Sequence, residues 1–149
     1  MNVPTVHLRT ATPGDAPEIA RLLALLGYPT EAASIATRWA KWRANGSAAI
    51  VAGGQSAGLL GVVTLHTTMV LHRLKPIGRI TALVVDEGAR GHGIGRALVA
   101  AAEAASLREG CGLLEVTSNM RRAEAHAFYE RLGYERSSYR FMKTLGGRT

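Results

Sequence analysis

The chain has 149 residues, 47% of them apolar and 5% aromatic, and its 18 Lys and Arg outnumber 11 Asp and Glu for a formal charge of +7. A chain of that length buries enough surface to hold one core without staples, its composition excludes a disordered chain, and a single cysteine, Cys111, excludes an internal disulfide. No apolar run reaches about 18 residues, and Met1 to Arg9 has neither a basic-then-apolar leader nor a small-residue cleavage site, so the expectation is a cytoplasmic protein without a membrane span.

Val6 to Ala11 reads as a first strand, and Asp15 followed by Glu18 predicts a capping box that opens a helix. Ile19, Leu22, Leu23 and Leu26 share one face of that helix, and Gly27 can close it. A second helix is expected from near Thr30 through Ile35, Trp39 and Trp42 to the stop at Asn45-Gly46. Ala48 to Ala52 and Leu59 to about Leu71 predict an antiparallel hairpin around Gly53-Gly54-Gln55-Ser56, with a loop from His72 to Pro76 after it. Ile80 to Val85 is almost wholly apolar, as suits a central strand covered on both faces. Ile94, Ala97, Leu98, Ala101 and Ala105 recur at helical spacing towards a Gly110 C-cap, and Leu113 to Thr117 returns as a strand, so this unit predicts a parallel pair. A last helix carries Ala125, Phe128, Tyr129 and Leu132 to Gly133, and short strands are expected near Tyr134 and over Tyr139 to Lys143. Together these elements make one α/β (α+β) domain, residues 1–149, with a mixed sheet of about six to seven strands and about four helices.

Anion binding is the chemistry most legible in the chain. Val85 leads through Asp86-Glu87-Gly88-Ala89 into Arg90-Gly91-His92-Gly93-Ile94-Gly95-Arg96 and then a helix. Glycines permit positive φ and close backbone approach, and a helix start adds unpaired N–H groups and the positive end of a dipole, a combination that suits a diphosphate. The dinucleotide fingerprint does not fit, because Gly91 and Gly93 are followed by Arg96, and Gly93 and Gly95 by Leu98. A Walker loop fails too, since the run ends Gly95-Arg96-Ala97. The arginine excess suits phosphate. Scattered arginines without interleaved aromatics argue against a basic nucleic-acid-binding module.

Arg90, Gly93 and Gly95, in the order Arg-x-x-Gly-x-Gly between an apolar strand and a helix, resemble the pyrophosphate loop of the Gcn5-related N-acetyltransferase (GNAT) superfamily. Phe128-Tyr129-Glu130-Arg131-Leu132-Gly133-Tyr134 is similar to that superfamily's later aromatic-Tyr-Glu-x-x-Gly-aromatic signature, and the order of elements agrees across nearly the whole chain. The resemblance implies a GNAT fold whose parallel central pair splays apart at the CoA site, with acetyl-CoA as cosubstrate, no metal, and transfer to a primary amine. It places Leu83, Val84 and Val85 along the acetyl end, one main-chain N–H bonding the acetyl carbonyl, and Arg90, Gly91, His92, Gly93, Ile94, Gly95 and Arg96 around the diphosphate. Phe128 and Tyr129 are implied at the cofactor, with Tyr129 protonating the CoA sulfur. Relatives carry an asparagine seven residues before this tyrosine; Arg122 stands there instead, so Asn119 is a shifted candidate for the pantetheine contact, and Arg122 and Arg131 are candidates for phosphate.

The general base is open among Glu115, His66, His72 and Asp86, and an amine with pKa of about 10.4 can pass its proton to a water chain. Leu65 to Arg79 and Ser118 to Lys143 resemble aminoalkylphosphonate N-acetyltransferases more than protein-lysine enzymes, through His66, His72, Ile77-Gly78, Leu83-Val84-Val85, Ala125-His126, Phe128-Tyr129 and Arg140-Phe141. Those enzymes have carboxylates where Arg79 and Ala82 stand here. The relatives' substrate or metal binding through that strand therefore does not carry over; Arg79, whose guanidinium suits an anionic group, is expected at the acceptor instead, and His72 is a further acceptor candidate. The alternatives are an acetyltransferase acting on protein N-termini or lysines and a CoA-binding regulator without turnover. Small members of the superfamily are often dimers; neither nucleic acid nor membrane is an expected partner.

Overall fold

The computed structural model describes residues 6–53, 58–117 and 123–147. They form two compact units, one ending at Val116 and one beginning at Thr117. The first unit holds a sheet whose spatial order follows the chain: β1 (His7–Thr10), β2 (Ser47–Gly53), β3 (Leu59–Thr68), β4 (Ile77–Val85) and β5 (Leu113–Val116). β1 to β4 are antiparallel neighbours and β5 joins β4 in parallel. Helices α1 (Ala16–Leu25) and α2 (Ala32–Ala44) follow β1, and α3 (Ile94–Arg108) makes the crossover from β4 to β5. The second unit carries α4 (Ala123–Arg131).

The mixed sheet and four helices agree with expectation, but the strands number five among the described residues. Tyr134 and Tyr139 to Lys143 have aromatic residues that favour strands and no ladder partner, and cross-strand pairing is what stabilises a strand. The capping box also falls one step earlier than read. Asp15 accepts the Thr12 N–H at 2.9 Å, while Glu18 accepts the Leu59 N–H at 2.9 Å and leaves the cap. Among the described residues no helix is long and apolar enough to cross a membrane.

Strand alternation sends one face of the sheet to α1 and α2 and the other to α3. Ala49, Val51, Val62 and Val84 pack with Ile19, Leu22 and Trp39 on the first face. On the second, glycines let α3 lie close to the strands. A Cβ on Gly61 would stand 2.9 Å from a Leu98 methyl and 3.0 Å from the Val84 carbonyl oxygen, and one on Gly78 would stand 2.7 Å from the Ser106 hydroxyl. Ile94, Leu98, Val99 and Ala102 of α3 are buried as a result.

The register of β4 contains one irregularity that shapes the unit. Thr64 faces Ala82 while Leu65 faces Ile80, so Thr81 is an extra residue on β4, a bulge, and its hydroxyl lies 2.7 Å from that of Thr64. Parallel pairing with β5 runs only from Ile77↔Leu113 to Ile80↔Val116. Beyond the bulge, therefore, β4 keeps β3 on one side and has no paired strand on the other among the described residues.

Gly61→Ala should cost about 1–3 kcal/mol of unfolding free energy by forcing α3 off the sheet. Urea denaturation checks this, and an unchanged midpoint would show that α3 does not depend on the missing methyl.

Candidate functional site

Past Thr81 the main chain of β4 becomes chemically available. The Asp86 N–H donates to the Leu60 carbonyl at 2.8 Å. Bonded and non-bonded pairs alternate along an antiparallel ladder, so Val84↔Val62 is the next bonded pair. The N–H groups of Leu83 and Val85 then point away from β3, toward the side that β5 does not reach. The Val85 carbonyl shares that side and accepts Arg90 Nε at 3.4 Å. Val84 differs from its two neighbours, for its N–H faces β3 and its side chain is buried against α1 and α2.

The strand runs directly into the glycine loop. A 3-10 turn at Glu87–Ala89 is followed by Arg90, Gly91 at φ 83° and Gly93 at φ 77°, both left-handed and both with open space where a Cβ would lie. Gly93 is the N-cap of α3 and makes no side-chain cap, and the first bond of the helix runs from the Ala97 N–H to the Gly93 carbonyl. The N–H groups of Ile94, Gly95 and Arg96 thus precede the helical ladder. No acidic residue sits in this first turn, whereas Arg90, His92 and Arg96 are exposed around it. A positive helix end flanked by the guanidinium groups of Arg90 and Arg96 is electrostatically incomplete until an anion joins it.

The base of the loop is clamped to α1. Arg21 bonds Asp86 at 2.6 Å, Glu18 at 2.9 Å and the Leu59 carbonyl at 2.9 Å, which joins α1 to the start of β3 and the end of β4. Hydrogen bonds from Arg21 and the Leu59 N–H hold the Glu18 carboxyl below its usual range. The Glu18–Arg21 spacing is visible in sequence; the third partner, Asp86, lies 65 residues away and is not.

A polar row crosses the sheet before the bulge. Ser47 faces His66, His66 faces Arg79 and Arg79 faces Glu115, which puts one residue from each of β2 to β5 in a line. Ser47 Oγ lies 3.0 Å from His66 Nδ1, and Arg79 donates to Glu115 Oε1 from Nη2 at 2.6 Å and from Nε at 2.9 Å. Arg79 and Glu115, assigned separate roles from sequence, are therefore each other's partners. His72 is exposed in the loop between β3 and β4.

In the second unit the aromatic signature is a helix stop. The Tyr134 N–H bonds the Tyr129 carbonyl at 3.0 Å and the Gly133 N–H bonds the Glu130 carbonyl at 3.0 Å, with Gly133 at φ 94°, the bond pattern of a Schellman cap. The cap draws Tyr134 against Tyr129, their ring centres 5.7 Å apart, and Phe128 packs on Tyr129 at 5.1 Å. Burial pushes the Tyr129 phenol up to about 12. Arg131 is exposed, and Arg136 instead pairs with Glu130 at 2.7 Å. Asn119 and Arg122 lie outside the described residues.

The family model described as an acetyltransferase (GNAT) domain matches residues 45–136. An aminoalkylphosphonate N-acetyltransferase of Salmonella typhimurium is 41% identical over 87 residues, 58% of this chain, and the matched stretch spans 56% of that enzyme's length. Among solved structures, a Trypanosoma brucei acetyltransferase superposes with a TM-score of 0.82 at 26% identity, covering 95% of this chain and all of that one (100%). A transcriptional regulator from Bacillus halodurans superposes with a TM-score of 0.85 at 26% identity over 95% and 100% of the two chains.

Alkaline titration followed by tyrosinate absorbance should show a step near pH 12 that the Tyr129→Phe variant lacks. Because the folded pKa is raised above about 10, the ordinary value of a phenol, the contribution of this burial to stability is fully present below about pH 10 and is lost as pH rises through about 12. A Tyr129-dependent step that already appears near pH 10 would contradict the burial of the ring.

Proposed function

The chain belongs to the family of GNAT acetyltransferase domains, and from that membership we propose that it moves an acetyl group from acetyl-CoA to a primary amine of a small molecule by direct attack in a ternary complex. The observation that carries this reading is the continuity of the open β4 edge at Leu83 and Val85 with the uncapped, cationic start of α3. One end suits a thioester and the other a diphosphate. Arg90 and the N–H groups from Gly91 to Arg96 would hold the diphosphate, with Gly91 and Gly93 leaving room for its oxygens. CoA supplies the acetyl thioester as substrate, and the domain supplies placement and charge.

In the reaction the neutral amine nitrogen attacks the thioester carbonyl carbon, the C–S bond breaks, the nitrogen loses a proton and the departing thiolate gains one. The N–H of Leu83 or Val85 meets the oxygen as it gains negative charge. His66 and Glu115 share a row with Arg79, four residues before Leu83, so they lie roughly 13 Å away along the strand. A single proton transfer needs contact of about 3 Å. The amine proton therefore leaves through water, since Glu115 is engaged by Arg79 and His66 Nδ1 by Ser47, and neither stands within direct reach. Tyr129, assigned by the resemblance of its signature, donates to the leaving sulfur; a phenol held near 12 stays protonated at every working pH.

Acceptor choice falls on amines that carry an anionic group. The Salmonella typhimurium relative is named for aminoalkylphosphonates, and an exposed guanidinium outside the ion pairs of the described residues, such as that of Arg38, suits an anionic group, whereas Arg79 is already held by Glu115.

Thiol release with acetyl-CoA and a panel of amines tests the reading. Anionic amines should turn over, Tyr129→Phe should lower kcat by about 100-fold with little change in acetyl-CoA affinity, and Gly93→Ala should weaken acetyl-CoA binding at least about tenfold, because φ 77° is costly for a residue with a Cβ. Tight acetyl-CoA binding without turnover on any amine would contradict the small-molecule reading and leave a protein acceptor or a CoA-binding regulator.

A further inference from the structure

On the sheet face opposite α3, a cavity of about 480 Å³ opens between α1, α2 and the β2–β3 strands. Its volume lies in the range of sites that enclose most of a drug-sized ligand. Leu23, Ile35, Trp39 and Trp42 make its walls, the two indoles 5.0 Å apart and tilted by 54°. Arg38 and Lys41, both exposed, supply its charge, and no carboxylate lines it.

Neither cation is neutralised. Among the described residues the ion pairs Arg9–Asp15, Arg21–Glu18, Arg21–Asp86, Arg79–Glu115 and Arg136–Glu130 involve neither of them, and Arg38 Nε donates to the Ser34 carbonyl at 3.1 Å. Lys41 lies in the last turn of α2, where the helix dipole favours a cation, but Arg38 stands a turn earlier and gains little from it. On the sheet side the cavity reaches Thr64, which faces Ala82 across the ladder and bonds the bulged Thr81. The cations thus sit on the helix side, the apolar walls between, and the open β4 edge beyond Thr64. Packed elements stand roughly 10 Å apart.

We propose that this cavity holds the acceptor, and that the acceptor is an amino acid in the broad sense: an amine and an anionic group at opposite ends of an aromatic or branched apolar body. This rests on the acetyl-transfer reading and narrows it. A compact aminoalkylphosphonate would leave the indoles uncovered. The anion meets Arg38 and Lys41, the body lies on Trp39 and Trp42, and the amine passes Thr64 toward the thioester carbonyl at Leu83.

The chain has 2 tryptophans, and both line the cavity, so indole fluorescence reads its occupancy without any need for turnover. Titration of the full chain with 4-(aminomethyl)benzoate should give saturable quenching, while benzylamine, which lacks the anion, and aminomethylphosphonate, which lacks the body, should bind at least tenfold more weakly. Joint replacement of the exposed Arg38→Ala and Lys41→Ala should weaken 4-(aminomethyl)benzoate at least tenfold and leave benzylamine unchanged. Thiol release is measured on the same samples. Quenching with this charge dependence supports the cavity assignment, and thiol release with it supports both readings. The same quenching without thiol release keeps the ligand class and overturns acetyl transfer. Turnover of aminomethylphosphonate with no change in indole fluorescence keeps acetyl transfer and overturns the cavity. Equal weakening of 4-(aminomethyl)benzoate and benzylamine by the double variant also overturns it.

Discussion

At Thr81 the backbone of β4 carries one residue more than the stretch of β3 it pairs with, and at the same level the parallel pairing with β5 ends. Had the ladder continued, the Leu83 and Val85 N–H groups would be spent on a neighbouring strand. The register shifts there instead, and among the described residues two half-buried donors are left without a strand partner. Fixed donors cost no reorganisation when charge develops beside them, and this makes an interrupted sheet suitable for an acyl-transfer site. Both the loop that follows and the cavity beside Thr64 take their position from this interruption.

The rest of the first unit keeps that edge in place. On one face Gly61 and Gly78 let α3 settle against the strands, which sets where the uncapped helix end points. On the other, Arg21 ties α1 to Asp86, the residue that follows β4. Surface ion pairs contribute little one at a time. Here one guanidinium meets two carboxylates and a carbonyl drawn from three segments, so its role is to register those segments more than to stabilise the fold.

Much of this was legible in the residues because it is local. The nearly continuous apolar run of Ile80 to Val85, the helical period from Ile94 to Ala105, and the glycines at 91 and 93 each need only their own neighbours, and the structure places them as strand, helix and positive-φ turn. The Tyr129 signature is legible for the same reason, since its glycine and second aromatic complete one helix cap. What escaped sequence reading depends on register. That Thr81 bulges, that Arg79 meets Glu115 and that Ser47 meets His66 all follow from which residue faces which across strands, and a one-residue slip would undo each of them. The strands expected near Tyr134 and over Tyr139 to Lys143 failed for a related reason, as propensity without a partner does not make a ladder.

Amide hydrogen exchange, resolved by residue along β4 with and without acetyl-CoA, addresses the open edge most directly. In the free protein Val84 should exchange slowly and Leu83 and Val85 faster, and saturating acetyl-CoA should slow Leu83, Val85 or both while leaving Val84 unchanged. Equal protection of all three residues in the free protein would mean that the edge is already paired, and that the thioester has no donor waiting there.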